Sequence, residues 1–127
     1  MNIEMGLSGR VALTVGDADS AIAMRSGDVA VLATPRVVAL MEAAAVVAIE
    51  GALPSGFTSV GSRIEVDHLA PTAIGGDVVA HAIVTEVEGR SVSFDVTVDE
   101  GSSTVARGSH VRVVVEREGF VARLGGF

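Results

Sequence analysis

The longest apolar run in this chain predicts one buried helix. From Val37 to Ile49 nearly every side chain is apolar on all sides, and a helix that is apolar all round is buried all round. Thr34 is a favourable N-cap, Pro35 suits the first helical turn, and Gly51 fits the left-handed position after the helix end. The run makes about four turns, short of the about 20 residues that a bilayer requires. The pattern therefore predicts a helix in a protein core.

Five further segments alternate polar and apolar residues with the period of a strand. A period of two places one set of side chains on a core and the other in solvent. The segments are 10–15, 57–68, 77–88, 91–99 and 103–116. Short turns join the last four, which predicts an antiparallel meander. Only the apolar helix can cover one face of such a sheet, so we predict an α+β fold, a curved antiparallel β-sheet wrapped around a central α-helix.

Two polar residues are predicted on otherwise apolar surfaces. In segment 57–68 one parity is assigned to the core, and its members are Val60, Ile64, Val66 and His68. Glu42 lies in the middle of the apolar helix, where a carboxylate must be paired, protonated or used. An ion pair for Glu42 and a satisfied core position for His68 are the ordinary structural explanations. Their joint occurrence in one small chain favours a functional site.

Composition limits the remaining choices. The 127 residues fit one domain, 1–127, and with 49% hydrophobic but only 3% aromatic residues its core must consist of Val, Ala, Leu and Ile. No cysteine is present, which excludes disulfide and thiolate chemistry. A net charge of −7 argues against a nucleic-acid surface. The N-terminal residues lack a signal-peptide pattern and no segment is long enough to span a membrane, so we expect a cytoplasmic protein without membrane association.

Five short motifs resemble a known family. They are Ala33-Thr34-Pro35-Arg36, Leu40-Met41-Glu42, Thr58-Ser59-Val60-Gly61, His68-Leu69-Ala70-Pro71-Thr72 and Arg107-Gly108-Ser109-His110-Val111-Arg112. Together they resemble the fluoroacetyl-CoA thioesterase type of hotdog protein, over roughly residues 8–123. The spacings from Thr34 to Glu42 and from Glu42 to His68 agree with the Thr, Glu and His of that family.

The resemblance implies a hotdog fold and an acyl-CoA thioesterase. It implies three catalytic residues, Thr34, Glu42 and His68, and two that contact the acyl thioester, Arg112 and the backbone amide of Gly61. It also implies an active site at a homodimer interface with residues from both subunits, acyl-CoA as substrate, and no metal or redox cofactor. A homodimer that continues the sheet would also cover an exposed edge strand, and a dimer of dimers is a further option.

The resemblance is incomplete in the segment ahead of the helix. Family members that act on fluoroacetyl-CoA carry aromatic residues in this lid, whereas residues 17–33 here contain none. The chemistry is therefore implied but fluoroacetyl selectivity is not. An Ala- and Val-rich lining suggests a small or medium acyl group.

The reaction route stays open at this stage. His68 and Glu42 form the expected acid–base or nucleophilic pair, with Thr34 supporting them, but Thr34, Glu42 or water could attack the thioester. His81 and His110 are assigned to sheet packing or a solvated face, and no His/Asp/Glu spacing predicts a closed metal site. Two other functions remain: a hotdog protein that binds acyl-CoA or another small ligand without turnover, and a hotdog hydratase or dehydratase.

Overall fold

Five strands and two helices make up the structure, a computed structural model that describes residues 1–125. In chain order they are β1 (Ser8–Thr14), α1 (Thr34–Glu50), β2 (Phe57–His68), β3 (Asp77–Glu88), β4 (Ser91–Glu100), β5 (Ser103–Glu116) and α2 (Arg117–Ala122). The strands form one antiparallel sheet in the order β1-β3-β4-β5-β2, so β1 and β2 are its edges. The predicted α+β class, an antiparallel sheet around one long helix, is confirmed. The predicted meander holds only from β3 to β5, because β2 pairs with β5 and β1 takes the place beside β3.

The core lies between α1 and the inner face of the sheet. The helix buries one broad set of side chains, Val37, Leu40, Met41, Ala44, Ala45, Ala48 and Ile49. The predicted inward set of β4 is buried opposite them, namely Val92, Phe94, Val96 and Val98. Strand β1 crosses the helix closely at Gly9, where a Cβ atom would meet the Ala44 carbonyl and the Ala48 nitrogen. Small residues therefore let the sheet wrap tightly around α1.

A β-bulge changes the predicted facing of β2. The register with β5 shifts between Gly61 and Arg63, so Ser62 has no opposite residue. After an extra residue in a strand, the side chains that face the core switch between odd-numbered and even-numbered positions. Gly61 and Ser59 consequently face the helix together with Ile64 and His68, and the assignment of Val60 to the inner face was wrong.

The ends of α1 also differ from the prediction. Ala33 is the N-cap and Thr34 the first helical residue, with no side-chain cap hydrogen bond. Gly51 has φ −70°, in the right-handed region, so its predicted left-handed role was wrong. Burial all round was wrong for the single chain as well, because Val46 and Val47 are 37% and 42% exposed.

The last residues follow the sheet as surface structure. The C-terminal tail, 117–127, opens with α2, and residues 117–125 bury no side chain. Residues 126–127 of that tail lie outside the described part. Neither α1 nor α2, the helices of residues 1–125, has the length and hydropathy that a membrane-spanning helix requires.

Candidate active site

The start of α1 and the end of β2 bring Thr34 and His68 together. Thr34 Oγ1 lies 2.7 Å from His68 Nδ1, a hydrogen bond between the two side chains. Because Thr34 does not cap the helix, its hydroxyl is available to the imidazole. The pair opens into a cleft of about 250 Å³ whose other walls come from the segment ahead of α1 and from residues 69–71.

The two members of this pair differ in exposure. Thr34 is exposed, whereas His68 is half-buried and its second nitrogen, Nε2, is buried with no hydrogen-bond partner within residues 1–125. Buried polar atoms without a partner are rare in proteins and often belong to functional sites. A nucleophile or water held by Thr34 would thus lie within proton-transfer distance of His68.

A second cluster surrounds Glu42, near the middle of α1. Arg112 of β5 donates from Nη1 to Glu42 Oε2 at 3.3 Å, from Nε to Ser59 Oγ at 2.8 Å, and from Nη2 to the Ser59 carbonyl at 3.1 Å. The Arg112 side chain is 8% exposed and that of Glu42 is 40% exposed. Burial lowers the pKa of Arg112 and the Glu42 carboxylate opposes this effect. The arrangement presents a carboxylate, held from behind by a buried guanidinium, to the solvent side.

Gly61 leaves the space in front of Glu42 open. A Cβ atom at Gly61 would lie 2.5 Å from Glu42 Oε2. The cleft there, about 230 Å³, is also lined by Arg63, Ile64 and His110. Only a glycine lets another group approach the carboxylate from this strand.

His110 belongs to the same cluster, although its position in β5 predicted only packing or a solvated face. Its Nδ1 lies 2.7 Å from the Arg63 carbonyl oxygen and its Nε2 lies 3.2 Å from Arg112 Nη1. The ring stacks on Phe94 at 5.9 Å between centroids. Burial is the main cause that lowers the pKa of His110. The signal available in the sequence was the i, i+2 spacing of His110 and Arg112, which puts both on one face of a strand.

The five predicted site residues therefore form two groups within one chain. Thr34 and His68 form the first, and Glu42, Gly61 and Arg112 form the second. Thr34 and Glu42 are eight positions apart on α1, about 12 Å along its axis. Within residues 1–125 no hydrogen bond or ion pair joins Glu42 to His68.

Two other depressions lie away from these residues, and each is larger than the clefts beside Thr34 and Glu42. Their volumes are about 490 and 560 Å³, and both are lined mainly by outward-facing residues such as Asp95 and Thr97. Neither is lined by any of the five predicted residues. Within the described residues, no group of three or more His, Asp or Glu side chains is placed to hold a metal ion.

Comparison with known proteins gives a consistent result. The family described as fluoroacetyl-CoA-specific thioesterase matches residues 15–118. The fluoroacetyl-CoA thioesterase of Streptantibioticus cattleyicolor is 38% identical over 94 residues, which cover 74% of this chain and 68% of that protein.

Solved structures extend the similarity to nearly the whole chain. The structure of the fluoroacetyl-CoA thioesterase FlK superposes with a TM-score of 0.91 at 29% identity, covering 98% of this chain and 96% of that one. A hot-dog-like protein from Thermanaerovibrio acidaminovorans superposes with a TM-score of 0.89 at 32% identity, with coverage of 98% and 96%. The predicted hotdog fold is thereby confirmed.

Proposed function

The chain belongs to the family of fluoroacetyl-CoA-specific thioesterases, and from this premise we propose that it hydrolyses an acyl-CoA thioester. Water adds across the carbon–sulfur bond: a carbon–oxygen bond forms at the acyl carbon, the carbon–sulfur bond breaks, and the thiolate takes up a proton. The products are a carboxylic acid and CoA, and the reaction needs no redox cofactor.

The observation that carries the proposal is the pair of separated groups, each with one half of the required chemistry. Thr34 and His68 supply a hydroxyl in contact with an imidazole, a proton-transfer pair. Glu42 and Arg112 supply a carboxyl group, held by a guanidinium, beside an open space. Since the groups do not meet within one chain, we propose that each active site combines Thr34 and His68 of one subunit with Glu42 of the partner subunit.

The edge position of β2 supports this arrangement. One side of β2 pairs with β5, and within residues 1–125 the other side has no strand beside it. If two copies pair their β2 edges antiparallel about a two-fold axis between Ile64 and Glu65, His68 of one strand lies beside Gly61 of the other. A homodimer that continues the sheet would thus bring the two groups together at two equivalent active sites.

The exposed side of α1 supports the same dimer. Ala39 and Val46 are exposed and lie about two turns apart on the Glu42 side of the helix. Val46 also lines a cleft with Phe57 and Thr58 of the β2 edge. An apolar helix face beside an unpaired strand edge is typical of a surface that a second subunit covers.

Within this site the roles follow from the local geometry. Glu42 attacks the acyl carbon or activates the attacking water, and the Thr34–His68 pair carries the proton that the thiolate needs. The positive end of the α1 dipole lies at Thr34 and stabilises negative charge that develops there. The backbone amide of Gly61 and the guanidinium of Arg112 are assigned to the thioester carbonyl. The small cleft and its aliphatic walls suit a small or medium acyl group.

Thiol release from a panel of acyl-CoAs tests the reaction. We expect release with the wild type and a loss of several orders of magnitude in Glu42→Gln and in His68→Ala, with both variants still folded by circular dichroism. His81→Ala, on the outer face of β3, serves as the control and should turn over normally. Binding without release from any acyl-CoA would refute the thioesterase and favour a ligand-binding protein, and a change in enoyl absorbance would favour a hydratase.

Mixing the two inactive variants tests the shared site. After subunit exchange, a mixed dimer contains one site with both native residues and one with neither, so about a quarter of the wild-type rate should return in an equimolar mixture. Native mass spectrometry of differently tagged chains confirms that exchange has occurred. Full exchange without recovery would show that Glu42 and His68 act from the same subunit.

A further inference from the structure

The inner face of β5 carries two buried polar side chains, and the proposed reaction uses only one of them. His110 and Arg112 are 1% and 6% exposed, on a face that is otherwise apolar. Arg112 holds Glu42. Within residues 1–125 His110 makes no hydrogen bond to Glu42, Thr34 or His68, yet it occupies a buried position beside Arg112.

The partners of His110 determine where its proton is. The Arg63 carbonyl can only accept, so His110 Nδ1 must donate to it. The Arg112 guanidinium can only donate, so His110 Nε2 must accept from it. Both contacts are satisfied together only by a neutral imidazole that carries its proton on Nδ1.

The same contacts fix the guanidinium plane. Ser59 accepts from Arg112 at two atoms on one side, and His110 accepts from Nη1, the nitrogen that also donates to Glu42. Without the contact from His110, the Nη1 end of the group is held only by the 3.3 Å bond to a half-exposed carboxylate. The orientation of Arg112 toward Glu42 thus depends on His110.

We propose that His110 is a positioning residue of the acyl-CoA site, which in its neutral form holds Arg112 against Glu42 and releases it when protonated. This inference rests on the proposed function. Protonation would place an N–H on Nε2, opposite an N–H of Arg112 and next to its positive charge. The guanidinium would then turn away, and Glu42 would lose its donor.

Every element packed against the ring takes part in this balance. Arg112 from β5 opposes the charged form, the Arg63 carbonyl from β2 and Glu42 from α1 favour it, and Phe94 from β4 is apolar. Burial and Arg112 together keep the pKa of His110 below its ordinary value of 6.5. His110 is therefore neutral at neutral pH, and turnover falls as acid protonates it.

A matched pair of substitutions separates positioning from simple structural support. In His110→Gln the amide oxygen lies near the former Nε2 and can accept from Arg112, whereas in His110→Asn the amide nitrogen lies near the former Nδ1 and keeps only the bond to Arg63. We expect kcat/KM for the best acyl-CoA to stay within about fivefold in the Gln variant and to fall about tenfold to a hundredfold in the Asn variant. His81→Gln on the outer face is the control.

The rate profile with pH and a spectroscopic measurement complete the test. In the wild type, kcat/KM should fall in acid as His110 is protonated. This fall should be absent in His110→Gln, because an amide does not titrate. Nitrogen-15 NMR of the wild type should show His110 protonated on Nδ1 alone at neutral pH, and its titration should move to lower pH in Glu42→Gln.

Two results would overturn the inference. One is that His110→Asn is as active as the wild type while His110→Gln is inactive, which would mean that only the hydrogen bond to the Arg63 carbonyl matters. The other is an Nε2-protonated or charged His110 at neutral pH, which needs no activity to observe. Absence of thiol release from every acyl-CoA would refute the proposed function instead, and the NMR result would still decide the hydrogen-bond assignment.

Discussion

Adding one methyl group at Gly61 should disable the Glu42 cluster and leave the fold intact. The new Cβ would lie 2.5 Å from Glu42 Oε2, 3.3 Å from His110 Cε1 and 3.5 Å from Arg112 Nη1. Only the first distance demands a large movement, and the atom concerned ends a flexible side chain. Glu42 must therefore turn out of its contact with Arg112. A hydrogen bond to a charged group contributes about 1.5–3 kcal/mol, and the partial exposure of Glu42 favours the lower end.

A loss of about 1.5 kcal/mol corresponds to a fall of about tenfold in kcat/KM. Thiol release measures this fall, and the same loss of about 1.5 kcal/mol should lower the midpoint of thermal unfolding by about 5 °C. Gly108→Ala is the matched control, because there the Cβ meets the Glu65 carbonyl and lies 3.1 Å from Val66 Cα. Backbone cannot yield without opening the β2–β5 pairing, so this variant should lose stability. Unchanged kcat/KM in Gly61→Ala, or destabilisation as large as in Gly108→Ala, would refute the reasoning.

Two further predictions concern the dimer and the segment ahead of α1. Val46→Glu should convert the proposed homodimer to monomers in sedimentation experiments, whereas Val47→Glu, on the β1 side of the helix, should not. Equal effects of the two substitutions would contradict the proposed interface. The Gly16 amide and the Arg36 guanidinium hold the pKa of Asp19 below its ordinary 3.8, so its stabilising effect is present above that pH and is lost as pH falls through the lowered value. Asp19→Asn should therefore lower the free energy of unfolding, measured in urea, by about 1 kcal/mol at about pH 7. The difference from the wild type should become smaller in acid, and a difference that does not change with pH would argue against the ion pair.

Regular alternation allowed most of the sheet to be predicted, and it failed where the backbone is irregular. Alternate residues of β4 face inward as expected, because nothing interrupts its period of two. They are Val92, Phe94, Val96 and Val98. In β2 the unpaired Ser62 shifts the register, and polar and apolar residues alone do not show where such a shift falls. Gly61, a glycine within a strand pattern, was the available sign of a bulge.

Candidate site residues could be proposed from the sequence, but their arrangement in two groups could not. The Thr34–His68 contact depends on β2 ending beside the start of α1, which residue types do not specify. The distance between His68 and Glu42 depends on the path of the same strand across the helix. His110 escaped notice because its role depends on the inward facing of β5 and on the hydrogen bonds of Arg112, both of which are tertiary properties.

The energetics of the β5 inner face suggest why this network is present. A buried guanidinium and a buried imidazole are costly to desolvate, and apolar side chains of similar size are often as stable or more stable in such positions. A core built from Val and Ala around Phe94 could have continued across His110 and Arg112. Stability therefore does not explain the pair. An oriented carboxylate at Glu42 does, because it needs a fixed donor behind it and an open face in front, and the network and Gly61 provide these two features.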